Sequence, residues 1–314
     1  MKSRAIRAGV PIAFGTAAIS GVSVFVNGYG VRAVPDATVY TTSKNLIAAV
    51  VLALLFGVVA TLTRAGRRSG DRPPPSRSQL AGLAAVAVVG GSVPFVLFFE
   101  GLARASSTHA SFIQKTLVVW VALLALPLLG ERLRVMHVAA MGLIVGGLVA
   151  LDGGLAGFRL GDGELLIFAA TLMWAVEVIL VRRLLRGVAP STVALSRMGG
   201  GVLLLLVWCA ATGKLGPLVH LGTRGWVWSL ATGVLLAGYV ATWFTALAYA
   251  QALDVTAILA AGAPITALLS LVVKGTPLPA LGAWGTVLVT AGAALVGAAA
   301  WHTATSGRRS PALS

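Results

Sequence analysis

Charge is scarce in this chain. Only 11% of its residues are charged, against roughly a quarter in soluble globular domains, and that shortage excludes a soluble fold with a solvated surface. Cysteine is nearly absent. Cys209 is the only one and lies in an apolar run, which excludes a disulfide framework and a thiolate metal site. The four histidines, His109, His137, His220 and His302, are scattered near segment ends. No H-E-x-x-H pair or serine–histidine constellation accompanies them, which weighs against an intramembrane enzyme. No G-x-x-x-x-G-K-[ST] loop occurs either, so any uphill work would have to draw on an ion gradient or on exchange.

What fills the chain instead is apolar: 58% of residues are hydrophobic and mean hydropathy is +0.93. Apolar segments fall near 10–30, 38–62, 79–102, 107–129, 134–151, 163–181, 191–211, 226–250, 254–273 and 279–301. Each is close to the ~20 residues that cross a bilayer core. The N-terminal "MKSRAIRAGVPIAFGTAAISG" begins like a signal peptide, but its apolar part runs on and no small-x-small cleavage site stands out, so it reads as the first membrane helix. The longest connection, Thr63–Gln79, is a polar, proline-bearing linker expected to lack regular structure.

The formal charge of +15 suggests an anionic partner until it is mapped. With the N-terminus inside, one set of loops and ends receives Lys2, Arg4, Arg7, Arg64, Arg67, Arg68, Arg72, Arg77, Arg132, Arg134, Arg182, Arg183, Arg186, Arg308 and Arg309. The other receives Arg32, Arg104, Arg159, Lys214, Arg224 and Lys274. The excess marks the cytoplasmic side, places both termini there, and absorbs most of the charge without nucleic acid.

Shifting the chain by 145 residues lays 101–133 over 246–278 without a gap. Leu102 meets Leu247, Ala105 meets Ala250, Ile113 meets Ile258, Gly130 meets Gly275 and Gly147 meets Gly292. Five segments per half is an odd number, so the second half must enter the membrane from the opposite side. The expected fold is an all-α polytopic membrane protein of ten transmembrane helices in two inverted five-helix repeats, 1–152 and 160–302, followed by a cytoplasmic tail, 303–314. Inverted repeats of this kind place a substrate site near the midplane between the halves.

Three stretches carry a family likeness: "LPLLGERL" (126–133), the glycine-rich "HVAAMGLIVGGLVALDG" (137–153), and "LGDGELLIFAATLMWAVEVILVRRLL" (160–185), with Pro35 and Pro190 before the second and seventh segments. Together they resemble the drug/metabolite transporter superfamily, EamA type. The resemblance implies ten helices and transport of small metabolites or drugs, and it names no substrate. Two positions depart from the pattern: Thr276 stands where a second glutamate is expected, and Val119 where the family often has the proline seen at Pro264.

Within the fourth segment, Ser107, Thr108, Ser111, Gln114 and Lys115 share an arc of roughly 120° at 100° per residue. Below Lys115 the segment is apolar. Lys115 lies eight residues from Ser107, or ~12 Å at 1.5 Å per residue, about twice what a lysine stem spans when it snorkels. An ionisable group at that depth costs roughly 2.5–3.5 kcal/mol on insertion scales and is a functional candidate. Lys115, Gln114 and Ser111 are therefore expected to line a wet cavity and bind substrate. Glu177, with Trp174 one turn away, is expected to face the same cavity, binding a cation or proton, unless it pairs with the arginines that follow it. Tyr239 and Trp243 are candidate cavity walls.

Lys44 and Arg197 occupy similar places early in the second and seventh segments and are expected at gates. "VGGSVPF" (89–95) resembles a hinge, with Pro94 bending the helix. Glu100, with Arg104 one turn on, reads as a local ion pair. The function expected is secondary transport of a small molecule across the cytoplasmic membrane by alternating access, as export or exchange, with no cofactor and with proton coupling left open. Its partners are the substrate, membrane lipid and, if coupled, protons. A non-transporting scaffold and an intramembrane lipid-modifying enzyme are the alternatives.

Overall fold

A computed structural model describes residues 2–64, 75–102, 104–105, 107–151, 153–154 and 161–306, with the backbone alone for 2–7, 63–64, 107–109, 111 and 303–306. The described residues contain helices and no strand, as a membrane interior requires of an open chain, because only a helix satisfies its own backbone. The helices are α1 (Lys2–Ala33), α2 (Ala37–Arg64), α3 (Arg77–Val89 and Val93–Leu102), α4 (Ser107–Lys115 and Leu117–Leu129) and α5 (Val135–Leu151). After the repeat boundary come α6 (Asp162–Leu184), α7 (Pro190–Ala211), α8 (Thr223–Tyr249), α9 (Ala252–Leu259 and Gly262–Lys274) and α10 (Ala280–Ser306). A short helix, Leu215–Val219, joins α7 to α8. Among the described residues nine helices are long and apolar enough to span a membrane, and α5 is a shorter apolar helix.

The repeat is visible in the backbone itself. Gly130 and Gly275 both end their helices in the left-handed region, at φ 67° and 63°, where a side chain would be strained. Their amides reach back to Ala125 O and Ser270 O, and so do those of Glu131 and Thr276. Every partner in this pair of turns is displaced by the same 145 residues.

The inversion is visible where α5 crosses α10. Gly147 packs against the Gly285 carbonyl and Val289, and Gly292 packs against the Ala140 carbonyl and Ile144. Adding 145 to one half of each contact gives the other contact. The crossing is therefore two-fold symmetric between antiparallel helices, with glycines letting the backbones approach. On one face of the bundle, α1 begins near the α8–α9 turn, with Gly9 against Ala250, and the end of α10 lies beside it, with Gly297 against Val10 and Phe14. We call this the terminal face.

Three spans are interrupted. α4 breaks at Thr116 and α9 at Ala260–Ala261, again 145 residues apart. α3 breaks at Gly90–Ser92, a refinement of the expected proline bend. Pro94 sits in the first turn of the second piece, Val93–Leu102, where a missing amide hydrogen is harmless. The glycines make the break, and they make it against α7. There Ser196–Gly200 forms a π-helical turn, and a Cβ on Gly91 would strike the Arg197 carbonyl. The linker is shorter than expected: α2 continues to Arg64, and Ser76 caps α3 in a reciprocal box with Gln79. Residues 65–74 and 307–314 lie outside the described residues.

A leucine at Gly147 or Gly292 should cost about 1–3 kcal/mol, as overpacking does, and the two costs should match because the positions are symmetry mates. Gly142→Leu, with open space around it, should be near neutral. Thermal unfolding of the three variants in detergent reads this directly.

Candidate functional site

Four helices close around the ammonium of Lys44, which is 5% exposed. From α1, Asn27 Oδ1 accepts its proton at 3.1 Å and also takes the Tyr40 hydroxyl at 2.6 Å. Tyr40 lies a further 3.1 Å from Thr232 on α8. From α3, the Phe99 ring sits 4.5 Å from Nζ and the Phe95 ring 6.0 Å away, with the Tyr40 ring at 5.2 Å. Among the described residues no carboxylate pairs with this lysine. Aromatic faces contribute about 0.5–2 kcal/mol to a buried cation, less than the several kcal/mol that desolvating it costs.

Beside it on α2, Thr41 Oγ1 and Asn45 Oδ1 are buried without partners. They sit three residues before and one after Lys44, so the three share one side of the helix. Phe95 joins this group to a second one. Its ring also lies 5.4 Å from the guanidinium of Arg197, which rests against Phe244 of α8 as well, at 6.0 Å. Arg197 donates to both oxygens of Glu177, at 2.5 and 3.4 Å.

Glu177 thus pairs across helices and not with the arginines that follow it on α6. The pairing has a local cause. Glu177 lies seven residues before the end of α6 at Leu184, and Arg197 seven after the start of α7 at Pro190. The two side chains therefore reach the same depth on adjacent antiparallel helices. A carboxylate needs room to stand here, and Gly90 at the α3 break supplies it, since a Cβ there would collide with the Glu177 carboxyl. Trp174 donates its indole proton to the Gly90 carbonyl at 3.3 Å and packs edge-on against Phe95 at 5.6 Å.

The remaining sequence candidates distribute as follows. Lys115 and Gln114 are partly buried at the α4 break, and no partner of Lys115 is seen among the described residues. The Ser111 side chain lies outside the described residues, as do those of Ser107, Thr108 and His109. Tyr239 and Trp243 stack on each other at 5.8 Å on α8, one turn from Phe244. Lys44 and Arg197, expected at separate gates, instead flank one phenylalanine. Pro94 precedes that phenylalanine and sets its helix start. Asn27, Tyr40, Thr232, Phe95 and Phe99 escape a reading of single segments because their contacts join different helices.

A second polar group closes the terminal face. Glu131, from the turn after α4, accepts the amides of Ala252 and Leu253 at 2.8 and 3.1 Å. It thereby caps the first piece of α9. Arg182 approaches Glu131 at 3.8 Å and donates to the Leu247 carbonyl at 2.7 Å. His137 meets Asp254 at 3.1 Å. The Arg134 amide donates to Nδ1 of that histidine, so the proton on the neutral ring sits on Nε2 and points to Asp254. A cavity of about 400 Å³ opens here, lined by Arg132, Arg134 and Arg186 besides these groups.

At the other face Lys214 bridges Asp36 at 3.1 Å and Glu100 at 3.8 Å, and Glu100 also holds Arg104 at 3.3 Å. Burial raises the Asp36 carboxyl, but the Val39 amide and Lys214 together outweigh it and hold it below its ordinary value.

Comparison with known proteins agrees with the fold and its two repeats. The profile of the family described as "EamA-like transporter family" matches residues 7–151 and again 162–298. A solved structure titled "Crystal structure of protein" superposes with a TM-score of 0.73 at 20% identity, over 92% of this chain and 98% of that one, which shows a shared fold. A comparison with curated proteins gave no match.

Glu177→Gln should destabilise the protein by about 3–5 kcal/mol, because it strands a buried guanidinium. Replacing both partners, as Glu177→Leu with Arg197→Met, should cost clearly less than the single change. Denaturant unfolding of the single and double variants measures the coupling.

Proposed function

This chain belongs to the EamA-like transporter family and is a membrane transporter, and we propose that it is a secondary one. It carries a small metabolite or drug across the cytoplasmic membrane by alternating access, in export or exchange. The observation that supports this reading is the unequal pairing of α4 with α9. On the terminal face Leu117–Leu129 packs on Ala252–Leu259, and Glu131 caps the latter. Both pieces of α4 also pack on α6 and both pieces of α9 on α1 and α10, but among the described residues the repeat-related pair, Ser107–Lys115 and Gly262–Lys274, does not pack together in the same way. A two-fold bundle held shut at one end has the asymmetry that alternating access needs, with Thr116 and Ala260–Ala261 as repeat-related bending points.

The basic excess favours the terminal face as the cytoplasmic one. The closed end is then the inner gate, and Glu131, Arg182 and the His137–Asp254 pair are its fastenings. Substrate binds between the repeats near Lys44, Lys115 and Gln114, against Trp174, Tyr239 and Trp243. Proton coupling, where it operates, passes through Glu177, which accepts a proton only when Arg197 withdraws.

Reconstituted protein, tested with a panel of metabolites in counterflow with and without a pH gradient, examines the reading as a whole. Uptake that a pH gradient drives, and that Glu177→Gln uncouples, assigns proton coupling. Uptake that needs only internal substrate assigns exchange. The gate has its own test in a Cys209→Ser background, where a single cysteine replaces Thr256, which is buried one turn into the first piece of α9. Adding Glu131→Ala should speed labelling from the terminal face roughly two- to thirtyfold, the ratio that losing a cap of about 0.5–2 kcal/mol implies.

A further inference from the structure

We infer that the substrate carries a negatively charged group, a carboxylate or its equivalent, which docks on the Lys44 ammonium with an apolar or aromatic flank against Phe99 and Phe95. The inference rests on the transport reading above and names the chemical class for that same site.

Charge balance carries the argument. The central cluster holds two cations, Lys44 and Arg197, and one anion, Glu177, whose two oxygens both face Arg197. Glu100, the next residue along α3 from Phe99, is engaged by Arg104, Thr38 and Lys214. Among the described residues, Lys44 is left with one amide oxygen and three aromatic rings. Apart from this cluster, Lys115 at the α4 break is a further partly buried cation. A buried ammonium without a counter-ion is an incomplete site in a low-dielectric interior, and an anion brought by the substrate completes it.

The unpartnered atoms beside it say more about the ligand. Asn45 spends its amide group on the Thr41 carbonyl, so its buried oxygen can only accept. The Thr41 hydroxyl can donate. A ligand with a carboxylate and a nearby hydroxyl or amino group would answer Lys44 and Thr41 with the first and Asn45 with the second. The cavity at the terminal face agrees in sign, since Arg132, Arg134 and Arg186 line it and its carboxylates, Glu131 and Asp254, already hold protein partners. A basic vestibule gathers anions ahead of the site.

Three probes of similar shape, each with a benzylic hydroxyl, separate the classes: mandelate, its neutral amide, and the cation 2-amino-1-phenylethanol. In counterflow with reconstituted full-length protein, mandelate should be carried at least tenfold faster than the other two. That preference should fall at least tenfold in Lys44→Met and be partly kept in Lys44→Arg. Thermal unfolding supplies a readout that needs no ligand. Lys44→Met removes an uncompensated charge and should melt at a higher temperature than the parent, whereas a lysine that merely anchors helices would lower it.

Mandelate carried no faster than the amide or the amine by the parent protein, or carried undiminished by Lys44→Met, would overturn the anion assignment and leave transport standing. A lower melting temperature for Lys44→Met overturns it too. Counterflow of some member of the metabolite panel but of none of these probes overturns this inference alone; no counterflow of any panel member or probe, by protein that melts cooperatively, overturns the secondary-transport reading with it.

Discussion

Hydrocarbon solvates neither an ammonium nor a carboxylate, so each charge inside this bundle depends on what the protein sets beside it. Glu177 has Arg197, and Glu131 has two backbone amides and Arg182. Asp254 has His137. These arrangements dictate much of the backbone around them. The α3 break leaves Gly90 where the Glu177 carboxyl needs space, and Gly91 where the π-helical turn of α7 brings the Arg197 carbonyl close. Lys44 has rings and a single shared amide oxygen in place of a carboxylate, and Lys115 shows no partner among the described residues. The anion proposed for the substrate follows from the first of these omissions.

The same constraint explains why the fold is so legible in the sequence and the site less so. Membrane-length apolar runs admit one kind of secondary structure, and the duplicated glycines mark their own structural tasks. Gly130 and Gly275 turn the chain at positive φ, and Gly147 and Gly292 let two backbones touch. Such glycines survive in register because nothing else fits. The charged residues are readable only one segment at a time. Periodicity puts Lys115 and Gln114 on one arc, but it cannot say that Arg197 lies opposite Glu177, or that Tyr40 reaches Thr232 across 192 residues of chain. One signal was present. Two opposite charges, equally distant from the turn joining α6 to α7, must lie at one depth, and counting from the turn finds the pair.

Phe95 deserves separate notice because it lies within reach of two cations. Lys44 sits 6.0 Å and Arg197 5.4 Å from its ring centre. A ligand that draws the ammonium away changes the surroundings of the ring and, through it, those of the Glu177 partner. On the proposed reading, binding and coupling are therefore neighbours, joined by a side chain on a helix piece that begins just after a break.

The α5–α10 crossing has a consequence for how such a chain could arise. A contact that maps onto itself under a two-fold rotation can equally be made by two separate copies of one half, inserted head-up and head-down. Fusing the copies fixes their ratio and frees each to drift. The divergence is already written here: Glu131 against Thr276, Lys115 against Ala260. An ancestral symmetric pair would have carried both members of each couple alike, with no preferred end to hold closed. A single polypeptide can therefore place a capping carboxylate, Glu131, in one turn and a threonine, Thr276, in its repeat mate.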